Sequence, residues 1–295
     1  MRGRPYAEVI GDPIAHSKSP LIHNFWLGKL EIDAEYRACH VKPEDLEDYF
    51  TRRRGDAEWR GCNVTIPHKQ SALNFVDDAS SLGLLEATNT IAPRDAGLSA
   101  WNTDVTGILE PLSQYPLPTE VAIDTTASAH VSIAQIVGAG GAAQAAIYAA
   151  VMAGYLKIEL FNRALDRAQE TAARASMSRK DAYPLSDLGP MPGGRQYPYY
   201  GYQGHFLIVN ASPMGMAGTS PVPIDLRRYP QDTIVFDMVY APLETPLLCA
   251  ARELRMRAVD GLQMLVGQAA KAFDIFFGAA APREHDAELR ALLTA

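Results

Sequence analysis

Four short polar clusters in the first 105 residues carry side chains that could bind and convert a hydroxylated substrate. One lysine, Lys69, and one aspartate, Asp104, lie among them. Such a pair could pass a proton to or from a reacting oxygen while a hydride moves. Serine hydroxyls could bind a carboxylate, and asparagine and threonine side chains could bind ring hydroxyls. The clusters are Ser17-Lys18-Ser19, Asn63–Lys69, Asn89-Thr90 and Trp101–Asp104.

Each cluster also has an ordinary structural interpretation. Ser19, followed by Pro20, could be the N-cap of a helix, and Asp104 could cap another. Asn89 could satisfy a turn, and Lys69 could be a solvated lysine at a helix start. The functional interpretation is favoured because all four clusters lie in loops or at predicted strand ends, and together they match a carboxylated, polyhydroxylated ring.

A second motif, Gly138-Ala139-Gly140-Gly141-Ala142-Ala143, directly follows an apolar run and predicts a turn that binds a dinucleotide. Gly138 permits the tight turn, Gly140 lets a pyrophosphate approach the backbone, and Ala143 lets helix and strand pack closely. The N-terminal amides of the helix predicted over Gly141–Ala153 would face the phosphates. The residues before this motif must therefore build something else, and a substrate site is the best candidate.

Cofactor choice is expected where the next strand ends, about 20 residues after the glycine turn. NAD-binding proteins usually carry an acid there, whereas this chain has Asn162-Arg163 and then Arg167. Two guanidinium groups suit a 2′-phosphate, so the sequence predicts NADP. Glu159 lies within the predicted strand and is out of place for the acid. The alternative is that both arginines are only solvated.

Composition excludes several classes of protein. The chain has 295 residues, is 47% hydrophobic and 21% charged, and suggests a globular protein of two domains. A net charge of −7 argues against nucleic-acid binding, and no apolar run is long enough for a signal peptide or a membrane span. Three widely spaced cysteines indicate reduced thiols, and no histidine pair has zinc-ligand spacing. We expect a cytoplasmic protein without a metal.

Strand and helix signals alternate in both parts of the chain, so the predicted fold class is α/β. In the first part, strands are predicted over Tyr6–Ile10, Glu35–Val41, Gly61–Ile66, Ala87–Ala92 and Leu98–Trp101. Helices are predicted to begin at Ser19-Pro20, Pro43, His68 and Thr103 or Asp104.

In the second part, strands separated by helices predict a parallel sheet. One of these strands ends just before the glycine turn. The others cover Leu156–Phe161, His205–Asn210 and Thr233–Met238. Three later helices are predicted after Thr245-Pro246, over Gly261–Phe277 and over Asp286–Leu293. The tracts Tyr115–His130 and Gly189–Gly204 are expected to be irregular.

Taken in order, these motifs resemble those of the shikimate dehydrogenase family. The most specific is Asn63-Val64-Thr65-Ile66-Pro67-His68-Lys69. The others, spread over nearly the whole chain, are Ile10–Ile14 with His16–Pro20, Asn89-Thr90, Asn102–Asp104 with Gly107, Gly138–Ala143, Asn162-Arg163, Asn210–Met216, Asp237–Tyr240 and Gly261–Ala270 with Phe273.

The resemblance implies a reversible oxidoreductase that reduces 3-dehydroshikimate to shikimate with NADPH, in the pathway to aromatic amino acids. Lys69 and Asp104 would be the catalytic pair. The implied substrate-binding residues are Ser17, Ser19, Asn63, Thr65, Asn89, Tyr240 and Gln268. The implied NADP-binding residues are Gly138, Ala139, Gly140, Gly141, Ala142, Asn162, Arg163, Arg167, Met238 and Gly261.

We expect two domains, each with one ligand. Residues 1–105 and 241–295 would bind the substrate, with the C-terminal helices packing back on the first domain, and residues 106–240 would form a Rossmann-like NADP-binding domain. The partners would be small molecules only, and the protein would be a monomer or a homodimer.

Two alternatives stay open. The first is a dehydrogenase acting on quinate or on an amino analogue of shikimate, although the presence of both Ser17 and Ser19 favours shikimate. The second is a catalytically silent NADP-binding sensor, against which the retained Lys69 and Asp104 argue.

Two departures from the family pattern predict weaker NADP binding or dual cofactor use: Ala164 replaces a common threonine, and Gln144 replaces a frequent arginine.

Overall fold

The chain folds into two compact units, each with its own sheet. The structure, a computed structural model, describes residues 3–95, 97–117, 132–178, 181–189 and 205–295. One unit consists of Met1–Thr106 and Val266–Ala295, and the other of Gly107–Leu265. Most of the two predicted irregular tracts, residues 118–130 and 190–204, lies outside the described residues.

The sheet of the first unit has five strands in the order β2-β1-β3-β4-β5. Its parallel part joins β1 (Tyr6–Gly11) to β2 (Glu35–His40) and β3 (Trp59–Val64). The antiparallel part adds β4 (Thr90–Arg94) and β5 (Gly97–Trp101). All five predicted strands are present, with ends shifted by a few residues. The predicted α/β class is therefore confirmed for this unit.

Helices cover this sheet, and two of the helix predictions differ from the structure. They are α1 (Ser19–Lys29), α2 (Leu46–Arg54), the start of α3 (Asp104–Leu112), the later part of α7 (Gly261–Phe277) and α8 (Asp286–Thr294), which packs against α1. The N-cap of α1 is Lys18 and not Ser19, because the Lys18 carbonyl accepts the first helical hydrogen bond, from Ile22. The helix predicted from His68 is a 3-10 helix over Ser71–Phe75.

The second unit has a six-stranded sheet in the order β11-β10-β9-β6-β7-β8, and its paired strands are all parallel. The strands are β6 (Ser132–Val137), β7 (Lys157–Asn162), β8 (Ala182–Pro184), β9 (His205–Asn210), β10 (Ile234–Asp237) and β11 (Arg257–Val259). The connecting helices include α4 (Gly141–Met152), α5 (Leu165–Arg174) and α6 (Pro246–Glu253). The predicted parallel sheet is confirmed, and its chain order reverses on either side of β6, where ligands bind in such folds.

One expected domain boundary differs from the structure. Residues 241–265 were expected in the first domain, whereas they lie in the second unit. The reason is strand pairing: β11 pairs in parallel with β10, and α6 packs against both strands. A parallel neighbour requires a crossover connection, and α6 supplies it.

Candidate active site

Lys69 and Asp104 form an ion pair in the first unit. Lys69 Nζ lies 2.5 Å from Asp104 Oδ2, and the side chains are only 21% and 8% exposed. Lys69 follows β3, and its carbonyl accepts a hydrogen bond from the Thr88 amide at 2.8 Å. Asp104 begins α3, where the helix dipole favours a negative charge. Partial exclusion of water strengthens the attraction between the two charges.

Asn89 holds the second oxygen of this carboxylate. Its Nδ2 donates to Asp104 Oδ1 at 2.8 Å and also lies 3.0 Å from Thr103 Oγ1 and 3.3 Å from Gln268 Oε1. Its Oδ1 accepts from the Thr103 amide at 2.7 Å. Because Asn89 holds Oδ1 of this carboxylate, the other oxygen, Oδ2, faces Lys69. The structure thus brings four of the predicted residues together.

Asn63 extends this network toward β1 and β2. Its Nδ2 donates to the Asn89 carbonyl at 3.1 Å and to Thr90 Oγ1 at 3.0 Å, and its Oδ1 accepts from the Tyr36 hydroxyl at 2.6 Å. Asn63 and Asn89 are buried, so each amide is fixed by hydrogen bonds instead of by water.

The predicted serines and Thr65 follow the same ends of β1 and β3. Ser17 Oγ accepts from the Ser19 amide at 3.3 Å. The Thr65 amide donates to the Ile10 carbonyl at 2.9 Å, which places Thr65 beside the end of β1.

In the second unit, the glycine turn joins β6 to α4 as predicted. Gly138 has φ +120°, and a Cβ there would lie 2.7 Å from the Ala211 carbonyl oxygen, so the position requires glycine. A Cβ on Gly140 would instead meet open space. The first helical turn that follows, Gly141–Gln144, carries no acidic residue. An open, uncharged helix N-terminus suits a phosphate, so these residues fit a dinucleotide.

The turn is supported from α5: Thr171 Oγ1 donates to the Ala139 carbonyl at 3.0 Å. Arg163 and Arg167 are exposed after β7, and within the described ranges neither guanidinium takes part in an ion pair. Ala164 is the N-cap of α5 and makes no side-chain cap, as its replacement of threonine would imply. Asn162 Nδ2 donates to the Ala164 carbonyl at 2.9 Å and fixes this turn instead.

A buried aspartate, Asp237, ties together the loops after β9 and β10. It accepts hydrogen bonds from Asn210 Nδ2 at 2.8 Å, from the Val239 amide at 3.0 Å and from Thr245 Oγ1 at 2.7 Å. Burial raises the pKa of its carboxyl, and the three donors partly oppose that effect. Asp237 belongs to one of the sequence motifs, but the sequence predicts no role for this residue.

Two predicted NADP-binding residues meet beside this aspartate. Gly261, at the start of α7, packs closely on the loop after β10. A Cβ there would lie 2.5 Å from the Met238 carbonyl oxygen. The Met238 amide donates to the Asn210 carbonyl at 3.0 Å. Tyr240 follows in the same loop of the second unit, and partial burial raises the pKa of its hydroxyl.

Sequence reasoning missed Tyr36 and Asp237 for different reasons. Tyr36 is one aromatic residue in a predicted strand, and only the order β2-β1-β3 shows that it faces Asn63. Asp237 did carry a signal, since an acid directly after the apolar run Ile234–Phe236 must find buried donors.

In the part of the chain that the structure describes, no three His, Cys, Asp or Glu side chains are grouped so that they could hold a metal ion. None of the helices described there is long and apolar enough to cross a membrane.

Two family models match the chain. The model of the shikimate dehydrogenase substrate binding domain matches residues 9–91. The model of the shikimate 5'-dehydrogenase C-terminal domain matches residues 261–288.

The chain is also similar to individual proteins over nearly its whole length. It is 44% identical to the NADP(+) shikimate dehydrogenase of Sphingopyxis alaskensis, over 99% of this chain and 97% of that protein. Shikimate 5-dehydrogenase from Thermus thermophilus, solved in complex with NADP(H) and shikimate, is 28% identical with a TM-score of 0.78, over 98% and 99% of the two chains. Quinate dehydrogenase from Corynebacterium glutamicum, solved in complex with NAD, is 26% identical with a TM-score of 0.79, over 98% and 99%.

Proposed function

The chain belongs to the shikimate dehydrogenase family, and from this we propose that it interconverts shikimate and 3-dehydroshikimate with NADP through the proton chemistry of Lys69 and Asp104. The observation that carries the assignment of these two residues is their 2.5 Å contact inside a buried amide network. A sensor that had lost catalysis would not need a lysine held in this way.

NADP, when bound, supplies or accepts the hydride. Reduction of the ketone leaves negative charge on its oxygen, and the Lys69 ammonium stabilises that charge and donates the proton. Asp104 fixes Nζ through the ion pair and accepts a hydrogen bond from the neighbouring ring hydroxyl. Asn89 holds Asp104 from the other side, so the direction of the pair persists through turnover.

The remaining roles follow the two units. In the first unit, Ser17 and Ser19 bind the substrate carboxylate. The family resemblance also assigns Tyr240 to substrate binding. Ring hydroxyls are bound by Thr65, Asn89, Asp104 and Gln268, with Asn63 as support. NADP is bound in the second unit by Gly138, Ala139, Gly140, Gly141, Ala142, Asn162, Arg163, Arg167, Met238 and Gly261. The open space at Gly140 and the exposed arginines support this part of the proposal.

Replacement of Lys69 tests the catalytic assignment. Lys69→Ala is expected to lower kcat for shikimate oxidation by roughly 10²–10⁴-fold, the usual contribution of a general acid–base group. Shikimate binding, followed by tryptophan fluorescence, should stay near the wild-type value.

The matched control is Lys271→Ala, which removes an exposed lysine that pairs with Asp274 on the same unit. It should leave both quantities unchanged. A Lys69→Ala enzyme with kcat within about tenfold of wild type, a difference of only about 1.4 kcal/mol in the barrier, would remove Lys69 from the mechanism.

Substrate preference is tested with quinate, since one similar structure is a quinate dehydrogenase. With both Ser17 and Ser19 present, kcat/KM should be higher for shikimate than for quinate. Equal values for the two substrates would contradict a preference based on these serines.

The other proposals concern partners and compartment. The net charge of −7 supports small-molecule partners without nucleic acid. We propose a monomer or homodimer, which light scattering on the purified protein distinguishes from larger assemblies. The free cysteines Cys39, Cys62 and Cys249 support the cytoplasm as the compartment.

A further inference from the structure

His68 is a buried histidine that the proposed reaction does not use. It directly precedes Lys69 in the turn between β3 and the 3-10 helix Ser71–Phe75, and it is 1% exposed. Its Nε2 lies 2.6 Å from the carbonyl oxygen of Val41, a residue 27 positions earlier in the chain. A carbonyl can only accept a hydrogen bond, so Nε2 carries a proton and donates it. The imidazole therefore links this turn to a distant part of the chain.

The backbone holds the beginning of the same turn to β1. The Thr65 amide donates to the Ile10 carbonyl at 2.9 Å, and the Ile66 carbonyl accepts from the Asp12 amide at 3.1 Å. The His68 amide donates back to the Thr65 carbonyl at 2.8 Å, which closes the turn. These bonds act on the beginning of the turn. The end of the turn, which carries the proposed catalytic lysine, depends on other contacts.

Two long-range hydrogen bonds hold the end of the turn, one on each side of β3. In the sheet order β2-β1-β3-β4-β5, β2 and β4 lie on opposite sides of β3. The His68 imidazole reaches Val41, which directly follows β2. The Lys69 carbonyl accepts from the amide of Thr88, just before β4, at 2.8 Å. Contacts on both sides keep the end of the turn from swinging about the strand, and they fix where the Lys69 side chain leaves the backbone.

We propose that His68 is a positioning residue for Lys69: its hydrogen bond to Val41 keeps the end of the turn where Nζ meets Asp104. This rests on the proposed catalytic role of Lys69. Lysine is a long, flexible side chain, so a shift of its backbone moves the ammonium away from both Asp104 and the reacting oxygen. A misplacement of about 1 Å, caused by a substitution away from the reacting atoms, can lower the rate about 10²-fold.

The test compares His68→Gln with His68→Asn. The amide nitrogen of glutamine lies the same number of bonds from Cα as Nε2 of histidine, so it can donate to the Val41 carbonyl. The amide nitrogen of asparagine corresponds to Nδ1 and falls short of that carbonyl. His68→Asn should lower kcat for shikimate oxidation roughly ten- to a hundredfold, whereas His68→Gln should retain most of the wild-type kcat. KM for shikimate should stay near the wild-type value in both variants.

Tyr49→Phe is the matched control, since it also removes one buried hydrogen bond from the first unit. The Tyr49 hydroxyl donates to Glu8 Oε2 at 2.8 Å, and neither residue belongs to the proposed site. At a temperature where the variants are folded, Tyr49→Phe should leave kcat unchanged. Equal kcat values for His68→Asn and His68→Gln, or a change in KM without a change in kcat, would overturn the role of His68. If His68→Asn does not fold, His68→Leu, which has no donor, takes its place with the same expected loss.

Lys69→Ala separates this inference from the proposed function. If Lys69→Ala keeps the wild-type kcat, the catalytic role of Lys69 is wrong and the role of His68 falls with it. If Lys69→Ala loses kcat while His68→Asn does not, only the role of His68 is overturned. In the Lys69→Ala background, His68→Asn should lower kcat little further, because His68 acts through Lys69. Independent, multiplied losses would contradict this route.

Discussion

Asn89 brings no charge to the reaction, yet it sets the direction of the charged pair. Its amide binds Asp104, Thr103 and Gln268 at once, so side chains that we propose to bind substrate are already ordered without it. The motif around Lys69 and the lone Asp104 were recognisable in the sequence. The bonds between them were not, because they join residues from four separate stretches of chain.

Arg163 should set cofactor preference. A charge-assisted bond to phosphate is worth about 1.5–3 kcal/mol, so Arg163→Ala is expected to raise KM for NADP⁺ roughly ten- to a hundredfold. KM for NAD⁺, which lacks the 2′-phosphate, should barely change. Arg167→Ala should act in the same direction but less. Equal losses with both cofactors would make Arg163 a structural residue.

His23 should make the first unit sensitive to acid. Burial lowers the pKa of its imidazole from 6.5 to about 3, so the unfolded chain takes up this proton before the folded chain does. The packed rings around it are Trp26, Tyr36, Phe273 and Phe276, of which Tyr36 alone titrates. The contribution of His23 to the free energy of unfolding should therefore be fully present above pH 6.5. It should be lost progressively as the pH falls toward 3.

His23→Phe keeps the stacking and removes the titration. Between pH 6 and 4 its unfolding free energy should fall less steeply than that of wild type, by up to about 1.4 kcal/mol per pH unit. Denaturant unfolding at a series of pH values measures this. His285→Gln, a change at a partly exposed histidine, is the control, and an unchanged slope in His23→Phe would contradict the expectation.

At the scale of the elements, the glycine turn contains one position with no space for a side chain and one with open space. Gly138→Ala forces a side chain into a left-handed conformation against the Ala211 carbonyl and should destabilise the second unit by roughly 1–3 kcal/mol. Gly140→Ala meets open space and should leave the unfolding midpoint unchanged while raising KM for NADP⁺. Thermal unfolding and steady-state kinetics on both variants separate these effects. A stable Gly138→Ala protein would contradict the steric argument.

Periodicity located most elements but not their neighbours. The strand signals were right because half-buried or fully buried strands have a strong local pattern. Residues 241–265 were expected in the first domain but lie in the second unit. The sequence does not show this because β11 is only three residues long and its pairing with β10 is a long-range property. The Ser19 cap was wrong for a local reason, since Lys18 already accepts the first helical bond.

For the molecule as a whole, the two units have separate hydrophobic cores and are expected to unfold separately. All three tryptophans, Trp26, Trp59 and Trp101, lie in the first unit, so intrinsic fluorescence reports that unit. Shikimate at 100 times its Kd should stabilise the fluorescence transition by about 2.7 kcal/mol. NADP⁺ should instead stabilise a transition seen by circular dichroism. A fluorescence transition that NADP⁺ shifts equally would show that the units unfold as one.

With the roles proposed for them, the exposed position of Arg163 and the burial of Asn63 and Asn89 would let coenzyme preference and substrate preference evolve at different rates. A substitution at an exposed site changes stability by no more than about 0.5 kcal/mol, whereas an unpaired buried amide costs about 1–3 kcal/mol. Descendants of this chain can therefore exchange one nicotinamide coenzyme for the other in single, nearly neutral steps. A change of ring substrate requires coordinated substitutions, so lineages should diverge in coenzyme before they diverge in substrate.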